Sequence, residues 1–229
     1  MQFFNPIWRY LGRISPFQPL QDVSDEVLMN DAKEQGRSQA LKTAPKMEIV
    51  EMRSETFKKA VAVIFRKEGG YVNNPRDNGG MTNKGITYKT LARWRGVAPQ
   101  TISERDMRGL SRQEAEDIYY ARYWQACRCD DLPDGLDLLI FDFAVNSGPA
   151  RAAKFLQAAV RQTRDGIIGG MTLRAVSRAN IPDVISKITA DRIAWLKKHE
   201  DWDEFGNGWT KRFRQIERKA LKINHGGSW

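Results

Sequence analysis

The chain has little of the chemistry that metal and thiol enzymes use: two cysteines and two histidines among 229 residues. Cys127 and Cys129 are one residue apart, too short a reach for an easy disulfide. His199 and His225 lie far along the chain from both, so the sequence offers a poor zinc set and no nearby histidine to activate a thiolate. Two reduced, mostly buried thiols are expected, and no metal or cofactor is implied. No hydrophobic run approaches the ~20 apolar residues that a membrane span requires. The first twenty residues also lack the basic start, apolar block and small-residue cleavage site of a secretory signal.

What is present bounds the class. At 41% hydrophobic, the chain can bury a core, which excludes disorder throughout. Its length suits one large domain or two small ones. The net charge of +9 and a pI of about 9.6 point to an anionic partner. Nucleic acid is the first such partner to consider, but there is no arginine-rich tract and no nucleic-acid motif, so none is expected.

The most informative stretch is Glu68-Gly69-Gly70-Tyr71-Val72-Asn73-Asn74-Pro75-Arg76-Asp77-Asn78-Gly79-Gly80-Met81-Thr82-Asn83-Lys84-Gly85-Ile86-Thr87. Upstream, Phe57, Val61, Ile64 and Phe65 repeat at helical spacing, and Glu68 continues their row. Two glycines then stop the helix. Apolar neighbours and the negative end of the helix dipole both disfavour a charged carboxylate there. Both effects raise its pKa, as a general acid near neutral pH requires. Asp77 follows in an Asn, Pro and Gly context that keeps it solvated and ionised, and Thr82 adds a hydroxyl. One neutral and one charged carboxyl is the pairing that cleaves a glycosidic bond. Alternatively, Asp77 and Asn78 form no more than an Asx turn.

These residues resemble the N-terminal signature of glycoside hydrolase family 108, the bacterial and phage N-acetylmuramidases. The resemblance continues at Tyr123-Trp124, at Phe141-Asp142-Phe143-Ala144-Val145-Asn146-Ser147-Gly148-Pro149, at Phe155-Leu156-Gln157 and at Asp165-Gly166-Ile167-Ile168-Gly169-Gly170-Met171-Thr172-Leu173. The last block is similar to the family's peptidoglycan-binding segment. The resemblance implies a mainly α, lysozyme-like helical body with a small β-hairpin or loop lobe beside the catalytic glutamate. It places the acid on Glu68, with Asp77 and Thr82 as further catalytic residues. Tyr71, Asn73, Asn83, Trp124 and Asn146 are then expected to bind substrate. One departure is Asn74, where the family usually carries Asp, and Asp77 is expected to serve instead.

Three regions are expected: an arm and helix over 1–53, a catalytic region over 54–148, and a helical peptidoglycan-binding-like region over 149–229. The arm holds Phe3, Phe4, Trp8, Tyr10 and Phe17, broken by prolines. It is read either as a leader packed loosely on the body or as an anchor into a phage virion or tail. A helix is expected from Ser24 to about Leu41, then a linker over 43–46. Ser54 is a fair N-cap. Trp94 is read as core or as a sugar platform. Ser111 and Glu114 match a capping box that opens a helix reaching Trp124. Pro133 suits the first turn of the next helix, with Leu136, Leu139, Ile140 and Phe143 inward. Asn146 either contacts an N-acetyl sugar or ends that helix in a left-handed conformation. Pro182 opens another helix. Trp209, Phe213, Ile216, Ala220 and Ile223 form the apolar stripe of a final one. Its other face is expected to carry Lys211, Arg212, Arg214, Arg218, Lys219 and Lys222, either merely solvated or holding the chain on an anionic wall.

The expected function is hydrolysis of the β-1,4 bond between N-acetylmuramic acid and N-acetylglucosamine. The protein would be made in the cytoplasm without a signal and would act in the periplasm or wall, as an endolysin or virion-borne lysozyme. A lytic transglycosylase and a non-enzymatic virion or wall-binding component are the alternatives. Glu68 is expected to remain protonated in the folded protein at mildly acid pH. An NMR titration that gives it an ordinary surface-carboxylate value would refute that expectation.

Overall fold

The computed structural model describes residues 54–65, 70–73 and 80–229. Glu68, Asn74, Asp77, the arm over 1–20, the helix expected from Ser24 and the linker over 43–46 lie outside the described residues. The chain is mainly α, with one two-stranded sheet among the described residues. It divides into two compact units. Among described residues the larger comprises 55–65 and 118–229, and the smaller comprises 54, 70–73 and 80–117. The regional break expected at 148–149 falls inside the larger unit.

The larger unit is built around one helix. Helix α1 is Glu55–Phe65; later in the chain come α5 (Leu136–Ser147), α6 (Pro149–Ala159), α7 (Gly170–Val176), α8 (Ile181–Leu196) and α9 (Trp202–Asn224). α5 packs against α1, α6, α8 and α9. It is buried around its whole circumference from Leu136 through Ala144, mostly by apolar side chains, as expected of a helix wrapped by others. Gly135 precedes it with φ +84, and a Cβ there would meet Ala220 O of α9 at 2.1 Å. Only glycine allows both that conformation and that approach. Pro133 therefore sits ahead of the helix rather than in its first turn; its carbonyl accepts from Leu136 N at 3.1 Å and Asp137 N at 3.2 Å.

Aromatic side chains fill the junction of α1 and α5. Phe57 meets Tyr120, Trp124 and Phe141 edge-on, with ring centroids 5.0, 5.5 and 5.9 Å away. This edge-to-face geometry is the one aromatic quadrupoles prefer. The helix α4 (Arg112–Tyr119) was expected to run on to Trp124; instead it gives way to a π turn over Tyr120–Trp124, with Gln125 N donating to Tyr120 O at 2.9 Å. The wider turn brings Tyr119, Tyr120 and Trp124 all into the core.

Charge is buried at the centre of the larger unit. Asp142 of α5 is 0% exposed. It accepts from Arg192 Nη1 of α8 at 3.1 Å and from Arg212 of α9, Nη1 at 3.2 Å and Nη2 at 2.6 Å. The Arg192 guanidinium also lies over Phe143 at 4.2 Å and Phe213 at 3.8 Å. Burial pulls Arg192 below its usual range, while Asp142 pushes it back up. Arg212, expected on the solvent face of α9, is buried. It stands three residues from Trp209 and beside Phe213, on the inward stripe. Lys211, Arg214, Arg218 and Lys222 do face solvent, and Lys219 is half-buried. The remaining stripe, Trp209, Phe213, Ile216, Ala220 and Ile223, is buried as expected. Cys127 and Cys129 are free and buried.

The smaller unit is built from short pieces. Strands β1 (Thr82–Asn83) and β2 (Ile86–Thr87) pair antiparallel, joined by Lys84 and Gly85 at φ 48 and 72. Two successive positive φ values make the two-residue turn that matches strand twist. Val72 adds a bridge to Thr82. Helix α2 (Tyr88–Arg95) follows; Thr87 Oγ1 caps it by accepting from Thr90 N at 3.2 Å, and Gly96 ends it in the left-handed region. In α3 (Glu104–Arg108), Ser103 and Asp106 form a complete capping box. The box expected at Ser111 and Glu114 is half realised: Glu114 N donates to Ser111 Oγ at 3.0 Å. The Glu114 carboxylate instead takes two bonds from Arg95, each 2.9 Å. A bidentate pair to a guanidinium outcompetes one backbone N–H.

Two outcomes follow from the buried charges. Asp142→Ala leaves two guanidinium groups buried without their carboxylate and should cost about 3–5 kcal/mol in urea unfolding. Asp137, in the first turn of α5, accepts from Leu138 N at 2.6 Å, yet burial raises its pKa from 3.8 to about 7. Between those values the folded chain holds a proton that the unfolded chain releases. Stability should therefore fall as pH rises from roughly 4 to 7, by up to roughly 4 kcal/mol from this group, and level off above. Urea midpoints at about pH 5 and about pH 8 should differ less in Asp137→Asn than in wild type.

Candidate active site

The smaller unit brings three of the expected site residues together. Thr82 is half-buried on β1, with its backbone N and O bonded to Val72 at 2.9 and 2.8 Å. Its Oγ1 donates to Gly80 O at 3.3 Å, a long bond that leaves the hydroxyl oxygen able to accept. Tyr71 and Asn73 flank Val72 on the opposing side of the bridge. Tyr71 is half-buried, and Asn73 is exposed. The Tyr71 hydroxyl is buried and finds no hydrogen-bond partner among the described residues. The ring lies under the Arg108 guanidinium at 4.1 Å. Residues 74–79, which include Asp77, connect Asn73 to Gly80 and lie outside the described residues.

Asn83 does not suit a saccharide-binding role. It is 4% exposed, and its Nδ2 donates to Met107 O at 2.7 Å. The amide is occupied in tying β1 to α3. Lys84 Nζ makes a parallel bond to Leu110 O at 2.9 Å. Nothing in the sequence distinguishes such an anchoring asparagine from one that reads a sugar; both are polar residues beside a turn. Trp94 of α2 is half-buried.

The larger unit separates the other two candidates. Trp124 is 0% exposed within the aromatic cluster of Phe57 and Phe141, so it is a core residue and does not line a groove. Its ring is matched edge-on by partners from two other segments, which the local sequence does not reveal. Asn146 is half-buried on α5 and helical rather than left-handed; Ser147 ends the helix and Gly148, at φ +83, caps it. Asn146 Nδ2 donates to Asp142 O at 3.2 Å, whereas Oδ1 is buried and unpartnered among the described residues. A buried acceptor with no donor is costly unless a ligand supplies one.

In the same unit, Gln157 organises the glycine-punctuated turn ahead of α7. It is 1% exposed, donates Nε2 to Ile167 O at 2.9 Å and accepts from Gly166 N at 2.9 Å. Among the described residues, no group of three or more His, Cys, Asp or Glu side chains could hold a metal ion. No described helix is long and apolar enough to cross a membrane.

The family model for glycosyl hydrolase 108 matches residues 61–148, a span that begins in α1 and ends at the Gly148 cap. Among solved structures, SagA of Brucella abortus is 43% identical, with a TM-score of 0.69, over 74% of this chain and 95% of that one. No curated protein sequence matches the chain.

Proposed function

The chain belongs to glycosyl hydrolase family 108 and is a glycoside hydrolase; from that premise we propose that it cuts the β-1,4 bond between N-acetylmuramic acid and N-acetylglucosamine in peptidoglycan. The observation that carries this reading is the family match over residues 61–148, which spans Glu68, Asp77, Thr82 and Asn146.

Glu68 protonates the leaving glycosidic oxygen. Asp77 activates the attacking water or stabilises the oxocarbenium-like transition state. The Thr82 hydroxyl orients that water or Asp77, and its backbone bridge to Val72 supports the role by fixing the side chain's origin. Tyr71 and Asn73 contact the glycan from the same bridge. Asn146 Oδ1, without a partner among the described residues, accepts from an N-acetyl N–H. Inversion requires the two carboxyls about 6.5–9.5 Å apart and retention about 5–5.5 Å. Residues 149–229 hold the wall polymer while residues 54–148 cut it. The exposed Lys211, Arg214, Arg218 and Lys222 of α9 favour an anionic wall surface. In the cell the protein acts in the periplasm or wall, as an endolysin or as a lysozyme carried in a phage particle through residues 1–50.

Purified peptidoglycan digested by wild type and by Glu68→Gln, with product masses recorded, tests the assignment. Wild type should release fragments with reducing N-acetylmuramic acid ends, and Glu68→Gln should lose roughly 10²–10⁴-fold in rate with its fold intact. Anhydro-muramic products would instead identify a lytic transglycosylase. An unchanged rate in Glu68→Gln would remove Glu68 from the mechanism.

A further inference from the structure

We infer that Trp202, at the start of α9, is a platform on which a pyranose ring of the glycan strand stacks. The inference deepens the reading above and rests on its glycan substrate. Trp202 and Gly206 stand at i and i+4, on one face of α9. A Cβ built on Gly206 would meet the Trp202 indole at Cδ2 (2.5 Å), Cε2 (2.6 Å) and Cε3 (2.9 Å). Cδ2 is bonded to both of the others, so distances this alike put that point over the face of the ring and not beside its edge. The indole therefore lies flat on the helix, seated on the glycine. Glycine inside a helix is destabilising relative to alanine, and at this position it admits the ring. Trp202 is half-buried. With one face on Gly206, the exposure it keeps belongs to the opposite face and the edges.

The seat is held in place. Trp202 N donates to His199 O at 3.0 Å. Its ring lies 6.1 Å from that of Trp209, which is buried, and the His199 ring meets the same Trp209 edge-on at 5.8 Å. A ring fixed before a ligand arrives loses little freedom when it is covered. The surroundings indicate the ligand. Asp203 and Asn207 form the next row of α9, again at i and i+4, and both are exposed, as is Glu204. Their oxygens accept from hydroxyl groups. The two carboxylates also repel an anionic partner at this spot, in contrast to the basic residues further along α9. A β-1,4-linked pyranose meets both conditions. It has a flat face of C–H bonds to lay on the apolar face of the indole, and hydroxyls at its rim for the acceptors.

The test titrates the full chain, labelled with ¹⁵N, with the β-1,4 tetramer of N-acetylglucosamine, and separately with polyglutamate as an anionic control. Sedimentation with purified peptidoglycan is measured alongside. In wild type the tetramer should shift the Trp202 indole Nε1–H resonance saturably, and polyglutamate should leave it in place. Trp202→Ala should weaken tetramer binding about tenfold or more, and Trp202→Phe should recover part of the loss. Gly206→Ala keeps the indole but removes its seat, so it should weaken binding as well. A resonance that the tetramer does not move would overturn the inference, as would binding that Trp202→Ala leaves unchanged or a shift produced by polyglutamate alone. Where a variant fails to fold, the wild-type resonance decides. If wild type neither cuts nor sediments with peptidoglycan while the tetramer titration behaves as stated, the proposed function fails and this inference stands.

Discussion

The carboxylate of Asp142 is held from both sides by guanidinium groups that reach it from two other helices, one 50 and one 70 residues away in sequence. All three side chains are at most 3% exposed. Desolvating such groups is expensive, and the attraction between them recovers the cost only when the geometry is good. The bidentate contact from Arg212 and the packing of Arg192 between Phe143 and Phe213 meet that condition. The triad therefore fixes the rotation of α5 relative to α8 and α9 more tightly than greasy packing would, because an apolar helix surface tolerates small slips and an ion pair does not. Asn146 stands one turn beyond Asp142 and bonds back to its carbonyl, so the register of a candidate substrate contact is inherited from this buried charge.

The smaller unit works differently. Among its described residues there is no buried ion triad like that of Asp142, and each element is too short to be stable alone. Local chemistry holds it: a positive-φ turn, a side-chain cap, a capping box, and the double bond from Arg95 to Glu114. Exposed ion pairs contribute little singly, but Arg95 also reaches Asp106, so three elements share one guanidinium.

The division between what could be read early and what could not follows from range. The α9 stripe was legible because the 3.6-residue period acts within a few turns, and every apolar member proved buried. The hairpin lobe was expected from the family resemblance, and the structure joins β1 to β2 through Lys84 and Gly85, both at positive φ. Arg212 was not, because a charged residue inside an apolar stripe signals burial only once its partner is known, and Asp142 is far away in the chain. Trp124 and Asn83 were misread for the same reason. Each has a residue type suited to sugar contact, and each is taken up by neighbours from distant segments.

The sequence by itself determined the chemistry on offer: a glutamate at the end of an apolar helical row, an aspartate and a threonine beyond it, little thiol or imidazole, and the helical periods that make the chain mainly α. Those properties are local, set by residue type and spacing. Only the tertiary structure decided which polar side chains are consumed in holding the fold and which remain available. Buried groups must find partners wherever the fold brings them, and those partners lie tens of residues away in the chain.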